Sequence, residues 1–370
     1  MVSAGCEGVA RGRGSRALAR RVMLTTTLTP SSIVATQTAR TPSSPDEQRD
    51  LELLDRLAAA RGALMEQIGR RIIGQHEVVD NLLAAVLAGG HALLVGVPGL
   101  AKTLLVQTVS ESLALSFSRI QFTPDLMPGD ITGTELLEED HTTGRRSFTF
   151  VRGPIFANVV LADEINRAPP KTQAALLQAM QERNVTTAGQ THRLPDPFFV
   201  LATRNPIEQE GTYQLPEAQL DRFMFELLLD YPSRDEEERM VAATTGDRDA
   251  TVTPVLSGEE LLAMQHLVRR LPAPPSVVKL AVHLARATRP QEPEASAEVR
   301  RYVSYGAGPR ASQYLVLGAK ARAAMDGRSV PDLDDVRSVA LAVLRHRVVI
   351  NFQGEAEGIG VERLLPLSGD

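Results

Sequence analysis

Between residues 72 and 230, five short and nearly continuous apolar runs, at 91–95, 117–122, 157–162, 198–203 and 223–229, alternate with longer helical patterns. Such runs are too short for buried helices and too evenly apolar for strands with one wet face. The alternation predicts an α/β core: a parallel five-stranded sheet covered on both sides, with any ligand outside the strands' carboxyl ends. It also disposes of an apparent membrane span. Residues 82–101 hold no Asp, Glu, Lys or Arg across 20 positions, but Gly89, Gly90, Gly96, Pro98, Gly99 and His91 interrupt them. A helix end, a buried strand and a turn are expected there instead.

After Tyr231 and Pro232 the pattern becomes wholly helical. A capping box at Ser257 and Glu260 opens a run to residue 271, and runs at 276–289, 309–325 and 332–346 follow. Residues 45–231 therefore read as the α/β core, 232–254 as a linker, 255–358 as a separate helical domain and 359–370 as a C-terminal tail. The loop at 289–309 is expected to be exposed. Order should begin with a second capping box at Ser44 and Glu47, followed by Leu51, Leu54, Leu57 and Leu64 at helical spacing. Residues 1–44, rich in Arg, Ser, Thr and Ala with no apolar period, read as a disordered basic tail. Their likeness to a transit peptide is compositional only, and Met23 or a later site serves equally as a true start.

Charge and cysteine content narrow the function classes. Residues 46–370 hold 34 basic and 44 acidic residues, net -10, and aromatics are 4% of the chain with no Trp. A body of that sign repels polyanions and lacks stacking rings, which points away from nucleic acid as a partner. The single cysteine, Cys6, cannot form an internal disulfide, so a reducing compartment such as the cytoplasm fits. The seven His never form a compact ligand set, so no zinc is expected.

The chemistry begins where the first strand ends, at Gly96-Val97-Pro98-Gly99-Leu100-Ala101-Lys102-Thr103, with a helical run from Leu104. Strand, glycine-rich loop and helix N-terminus together make an anion site, in which Lys102 would reach the β- and γ-phosphates and the Thr103 hydroxyl would ligate Mg²⁺. Only four Lys stand against 36 Arg, so a lysine at this place is informative. Ala101 occupies a position where glycine is usual, which requires a negative φ if its methyl is to be tolerated. The run at 157–162 ends in Asp163-Glu164, a pair able to divide labour between Mg²⁺ and an attacking water. Asn205 follows the next strand and could orient the same water. Arg222 and Arg310 are each able to stabilise charge on a γ-phosphate. Taken singly, an Asn after a strand is more often a turn residue and an Arg more often a surface residue.

Through the strings GVPGLAKT, LADEINRAPPKTQAALLQAMQE, LATRNPIEQEGTY, LPEAQLDRF, YGAGPRA and VLRHRVVINF the chain resembles the MoxR group of AAA+ ATPases over residues 72–358. The resemblance implies an AAA+ P-loop core followed by an all-α lid. It assigns Gly96 to Thr103 to Walker A with Leu104 beside it, Asp163 and Glu164 to Walker B, Asn205 to sensor 1, Arg222 to the arginine finger and Arg310 to sensor 2. Gly74 and Gln75 would lie against the adenine, and Ala101 is usual in the group. The implied protein is an Mg²⁺-dependent ATPase in a homo-oligomeric ring, commonly a hexamer, with Arg222 reaching a neighbour's ATP. Arg310 would gather with the other motifs around one nucleotide and turn with the lid when the γ-phosphate leaves. The implied work is remodelling or maturation of a protein client, such as one bearing a von Willebrand factor A-type domain. Inserts at 136–150 and 184–194 would face the pore, and neither tip carries an aromatic grip. The alternatives are a nucleic-acid-stimulated motor, since related rings include helicases, and a nucleotide-bound scaffold without turnover.

Overall fold

The computed structural model describes residues 45–139, 146–207, 211–246 and 250–366. The basic tail, the Ser44 cap, the tip of the first insert and the last residues of the C-terminal tail lie outside the described residues. Helix α1 (Pro45–Gly69) buries Leu54, Leu57 and Leu64 along one stripe and leaves Leu51 exposed. In chain order there follow α2 (His76–Leu87), β1 (Ala92–Val95), α3 (Lys102–Ser112), β2 (Phe117–Gln121) and α4 (Pro128–Thr132). A hairpin of β3 (Gly133–Glu139) and β4 (Arg146–Arg152) precedes β5 (Val159–Asp163) and α5 (Pro170–Glu182). A second hairpin, β6 (Asn184–Thr187) and β7 (Gln190–Arg193), precedes β8 (Phe199–Arg204), α6 (Glu217–Leu220) and β9 (Phe225–Leu228).

The expected five strands form one parallel sheet in the order β2-β5-β8-β1-β9. Side chains of a strand alternate between faces, and the core divides accordingly. Ala92, Leu94, Val159, Leu161, Phe199 and Leu201 enter one apolar cluster; Leu93, Val95, Val160, Ala162, Val200 and Ala202 enter the other. Both faces being dry explains why the strands read as continuous apolar runs. Residues 82–101 resolve into the end of α2, strand β1 and a turn. Among the described residues no helix is long and apolar enough to cross a membrane.

The C-terminal part comprises α7 (Arg234–Thr244), α8 (Gly258–Arg270), α9 (Pro275–Ala287), α10 (Ala297–Tyr302), β10 (Val303–Tyr305), α11 (Pro309–Met325), α12 (Leu333–Leu344), β11 (Val349–Ile350), α13 (Phe352–Ala356) and α14 (Val361–Leu364). It is not wholly helical, because β10 and β11 pair antiparallel with Val303 opposite Ile350. The stretch at 289–309 is not an exposed loop: it buries Val299, Tyr302, Val303 and Ala307. The expected linker contains α7, capped by Ser233 and exposed along its length. Ile359, Val361, Leu364 and Leu365, read as tail, are core residues. Such short apolar returns show no period long enough to be recognised in sequence.

Nor do the C-terminal helices stand apart from the sheet. Their apolar residues share one cluster with α1, α2 and one face of the sheet. At Gly318 on α11 an added Cβ would lie 3.2 Å from the Phe225 ring and 3.1 Å from Val339, so a methyl there would press α11 against β9 and α12. Beside it Arg322 on α11 donates to Asp80 and, at 3.0 Å, to Asn81 on α2, while Arg61 on α1 holds the same Asp80 at 2.9 Å.

His91 fixes the start of β1. Its Nδ1 accepts from the Val200 N–H at 2.9 Å, which leaves Nε2 to donate to the Met180 carbonyl at 3.3 Å. Burial lowers its pKa from 6.5 to about 4, so it folds neutral. The unfolded chain takes up a proton below about pH 6.5 that the folded one refuses. Stability from this residue is therefore complete above pH 6.5 and lost as pH falls toward 4, by about 3 kcal/mol in all. Urea midpoints at pH 7.5 and 4.5 should show the loss, and His91→Asn should flatten it; an equal slope in the variant assigns the loss to other groups.

Candidate nucleotide site

The loop after β1 is shaped by close approach and by positive φ. A Cβ at Gly96 would lie 2.9 Å from the Leu229 carbonyl oxygen, so only glycine lets the loop leave the sheet there. Gly99 has φ +88°, and Ala101 has φ 53°. The negative φ that would make its methyl easy to tolerate is therefore not adopted: the chain accepts a left-handed alanine, at a cost of about 1–2 kcal/mol, to turn from loop into helix. Lys102 begins α3, whose first-turn N–H groups have no partner within the helix. Its Nζ donates to the loop's own carbonyls, Gly96 O and, at 3.2 Å, Val97 O.

Pro98, Gly99, Leu100, Ala101, Lys102, Thr103 and Leu104 line one side of an open cleft of about 420 Å³, and Asp163, Glu164, Thr203 and Asn205 line the other. Sheet order makes this possible. Strand β8 lies between β1 and β5, so the loop and the acids stand two strand spacings apart, about 10 Å, at the carboxyl edge. Asp163 ends β5 and is held from two sides. Thr203 Oγ1 donates to its Oδ1 at 2.6 Å, and Arg119 donates to its Oδ2 through Nε at 3.0 Å and Nη2 at 2.7 Å. The same Thr203 oxygen accepts from the Glu164 N–H at 2.8 Å. Glu164 stands at φ 56°, a conformation rare outside glycine, which turns its carboxylate off the strand axis. Its Oε2 accepts from Gln121 at 2.8 Å and from Arg167 at 3.0 Å. Asn205 is buried to 7% exposure, and its Oδ1 accepts from the Ile207 N–H at 3.1 Å.

This donor set suits a nucleotide with its cation. Among the described residues no group of three or more His, Cys, Asp and Glu could hold a metal alone. The Thr103 hydroxyl and Asp163 could, however, share an Mg²⁺ with phosphate oxygens and water, the coordination that small cation prefers. Since Arg119 already engages Asp163, contact through a bound water suits that carboxylate better than direct ligation. Gly74 and Gln75 do not line this cleft. They form a left-handed turn between α1 and α2, φ 77° and 58°, and Gln75 donates to the Asp230 carbonyl at 2.7 Å, one residue beyond the Leu229 that Gly96 touches.

Arg222 and Arg310 are not in the cleft either. They line a separate depression of about 320 Å³ with Gly89, Gly90, His91, Arg183, Arg269 and Tyr314. Gly90 and His91 precede β1, whereas the phosphate loop follows it, so the two sites occupy opposite ends of that strand. In this structure Arg310 thus stands away from the chain's own cleft. The cause is an ion pair: Arg310 Nη1 donates to Asp221 Oδ2 at 2.7 Å, which ties it beside Arg222. His346, in the VLRHRVVINF string, is buried with Nε2 3.1 Å from the Phe223 carbonyl. Sequence reading missed Arg119, Gln121 and Thr203 around the acids, and Asp221, Tyr314 and Arg347 around the arginines. Only Thr203 had a signal, a hydroxyl at the end of an apolar run two residues before Asn205, a spacing that puts both on one side of an extended chain.

Residues 91–225 match the ATPase family associated with various cellular activities (AAA), and residues 295–366 match the AAA lid domain. The chain is 44% identical over 296 residues to Chaperone MoxR1 of Mycobacterium tuberculosis, covering 80% of this chain and 77% of that protein. It is 41% identical over 305 residues to the uncharacterized protein YeaC of Bacillus subtilis, covering 82% and 91%. The crystal structure of a candidate ATPase from Cytophaga hutchinsonii superposes with a TM-score of 0.78 at 37% identity, over 86% of this chain and 96% of that one. With a phosphate loop, paired acids and a five-stranded parallel sheet in the matched region, the chain belongs to the MoxR family of AAA+ ATPases and is an ATP hydrolase.

Proposed function

We propose that the protein is an Mg²⁺-dependent ATPase working as a closed ring of identical subunits, six in the family's common form, and that it couples hydrolysis to remodelling or maturation of a protein client. The observation that carries this reading is the position of the arginines. A subunit with the Lys102 cleft at one end of β1 and Arg222 with Arg310 at the other holds two halves of a site that cannot meet within one chain. Joining unlike ends makes a head-to-tail contact, and such contacts form a ring where the rotation from one subunit to the next closes and an open filament where it does not; the family's common form favours the ring.

In this reading the loop amides and Lys102 bind the β- and γ-phosphates. Thr103 and Asp163 hold the cation, which when bound neutralises phosphate charge. Glu164 polarises the attacking water, Asn205 orients it, and Arg222 and Arg310 approach from the adjoining subunit. The name of the mycobacterial relative supports a chaperone role. The first hairpin adds to it: Leu137 and Phe148 are cross-strand neighbours at 54% and 70% exposure. Phe150 of that hairpin stacks on His192 of the second at 4.1 Å, so the two inserts touch. A client with a von Willebrand factor A-type domain is the partner class the resemblance suggests, and the net charge of -10 over residues 46–370 opposes a polyanion.

Turnover per subunit should rise with protein concentration in step with the mass measured by light scattering, because a lone subunit lacks half of its site. Equal turnover in monomer and assembly refutes the shared site. Stimulation by single-stranded DNA, falling steeply with salt, would instead favour the motor.

A further inference from the structure

The segment that carries Arg222 bonds through its N–H groups to the 217–220 turn and to the His91 carbonyl, while its carbonyls face the C-terminal part of the chain. Arg347, its side chain 2% exposed, donates through Nη2 to the carbonyls of Asp221 at 2.9 Å and Phe223 at 2.5 Å, and through Nη1 to Met224 O at 3.3 Å. The hydroxyl of Tyr314 on α11 donates to the Arg222 carbonyl at 3.3 Å. Every carbonyl from 221 to 224 therefore accepts a bond from Arg347 or Tyr314. The Arg347 guanidinium also lies 5.1 Å from the centre of the Tyr314 ring, a cation–π pair that keeps the two donors together.

One carboxylate joins this clamp to the second arginine. Asp221 Oδ1 accepts from Arg347 Nε at 2.8 Å, while its Oδ2 accepts from Arg310 Nη1 at 2.7 Å. Among the described residues the Arg222 guanidinium has no hydrogen-bond or ion-pair partner, although its backbone is fixed on both sides.

We propose that Arg347 and Tyr314 are positioning residues, which lock the Arg222 segment and Arg310 into one rigid unit so that the two arginines meet an adjoining subunit's nucleotide as a pair. The proposal rests on the shared-site reading given above. It makes the placement of the finger depend on the C-terminal part as well as on the sheet: a shift of α11 or of the turn after α12 would disturb the carbonyls on either side of Arg222. A misplacement of about 1 Å in a charge-stabilising group costs on the order of 10²-fold in rate. Lysine at 347 keeps the charge but cannot span this set of acceptors with one compact ammonium.

The test uses the full-length chain with Arg347→Lys, and with Tyr314→Phe as a milder variant that removes one hydroxyl. Arg347→Lys should lose at least tenfold in kcat, and Tyr314→Phe should lose less. Both should keep KM and fluorescent-ATP affinity within twofold, because their own cleft lies at the other end of β1. Each variant is then mixed with Lys102→Ala, which has an intact arginine end and a defective cleft. Turnover should return, because the variant's cleft meets a sound arginine pair at some boundaries. Arg222→Ala mixed with Lys102→Ala is the reference. If that mixture stays inactive, the shared site falls, and this proposal with it. If it recovers while Arg347→Lys and Tyr314→Phe keep full turnover, lose nucleotide affinity, or are not rescued, the positioning role alone is overturned.

Discussion

Arg222→Ala should leave ATP bound and lower turnover by about 10³-fold or more, the range for removal of an arginine that neutralises a transferring phosphoryl group from across a boundary. The reason is spatial. Arg222 lies at the opposite end of β1 from Lys102, so no contact with the chain's own nucleotide is lost, whereas under the proposed shared site a neighbour would lose charge stabilisation during phosphoryl transfer. Affinity by fluorescent-nucleotide titration and kcat by phosphate release should therefore separate. Arg222→Lys should recover little, since a point charge cannot reproduce the fork. A variant that lost affinity and turnover equally would put Arg222 within its own subunit's cleft.

Glu164→Gln should hold ATP as well as the parent and lose about 10²–10⁴-fold in turnover, the usual loss for a group that polarises the attacking nucleophile. The substitution is nearly isosteric. Glutamine can still accept from Gln121 and Arg167 through its amide oxygen, and the backbone bond to Thr203 is untouched, so the left-handed turn at 164 should survive. What disappears is the negative charge facing the cleft. Rapid phosphate release by the variant would remove Glu164 from the assigned role. Because ATP would then persist on the assembled protein, the same variant is the form to use in a pull-down for the client.

Much of the cleft was legible because its parts are contiguous in the chain or fixed by strand ends. Gly96 to Thr103 follow one strand, Asp163 and Glu164 end another, and Asn205 follows a third; parallel strands deliver all three to one edge. The groups that hold those residues were not legible. Arg119 and Gln121 reach Asp163 and Glu164 only because β2 pairs with β5 in a register that sets Gln121 opposite Asp163. Ala101 shows the limit from another side. The residue was plain and its backbone was not, since φ depends on how loop and helix must join.

The alternating apolar pattern by itself determined a sheet buried on both faces, and the strings at the strand ends determined phosphate chemistry and family. Both are local properties, written in neighbouring residues and in the short periods of strand and helix. Tertiary structure alone decided where the arginines stand, because the pair Asp221 and Arg222, the pair Arg310 and Tyr314 on α11, and Arg347 are three segments far apart in the chain that meet only when the C-terminal helices close on the sheet. The ion pair between Arg310 and Asp221, and the clamp that Arg347 makes across it, turn those separate residues into one surface at the end of the molecule remote from Lys102.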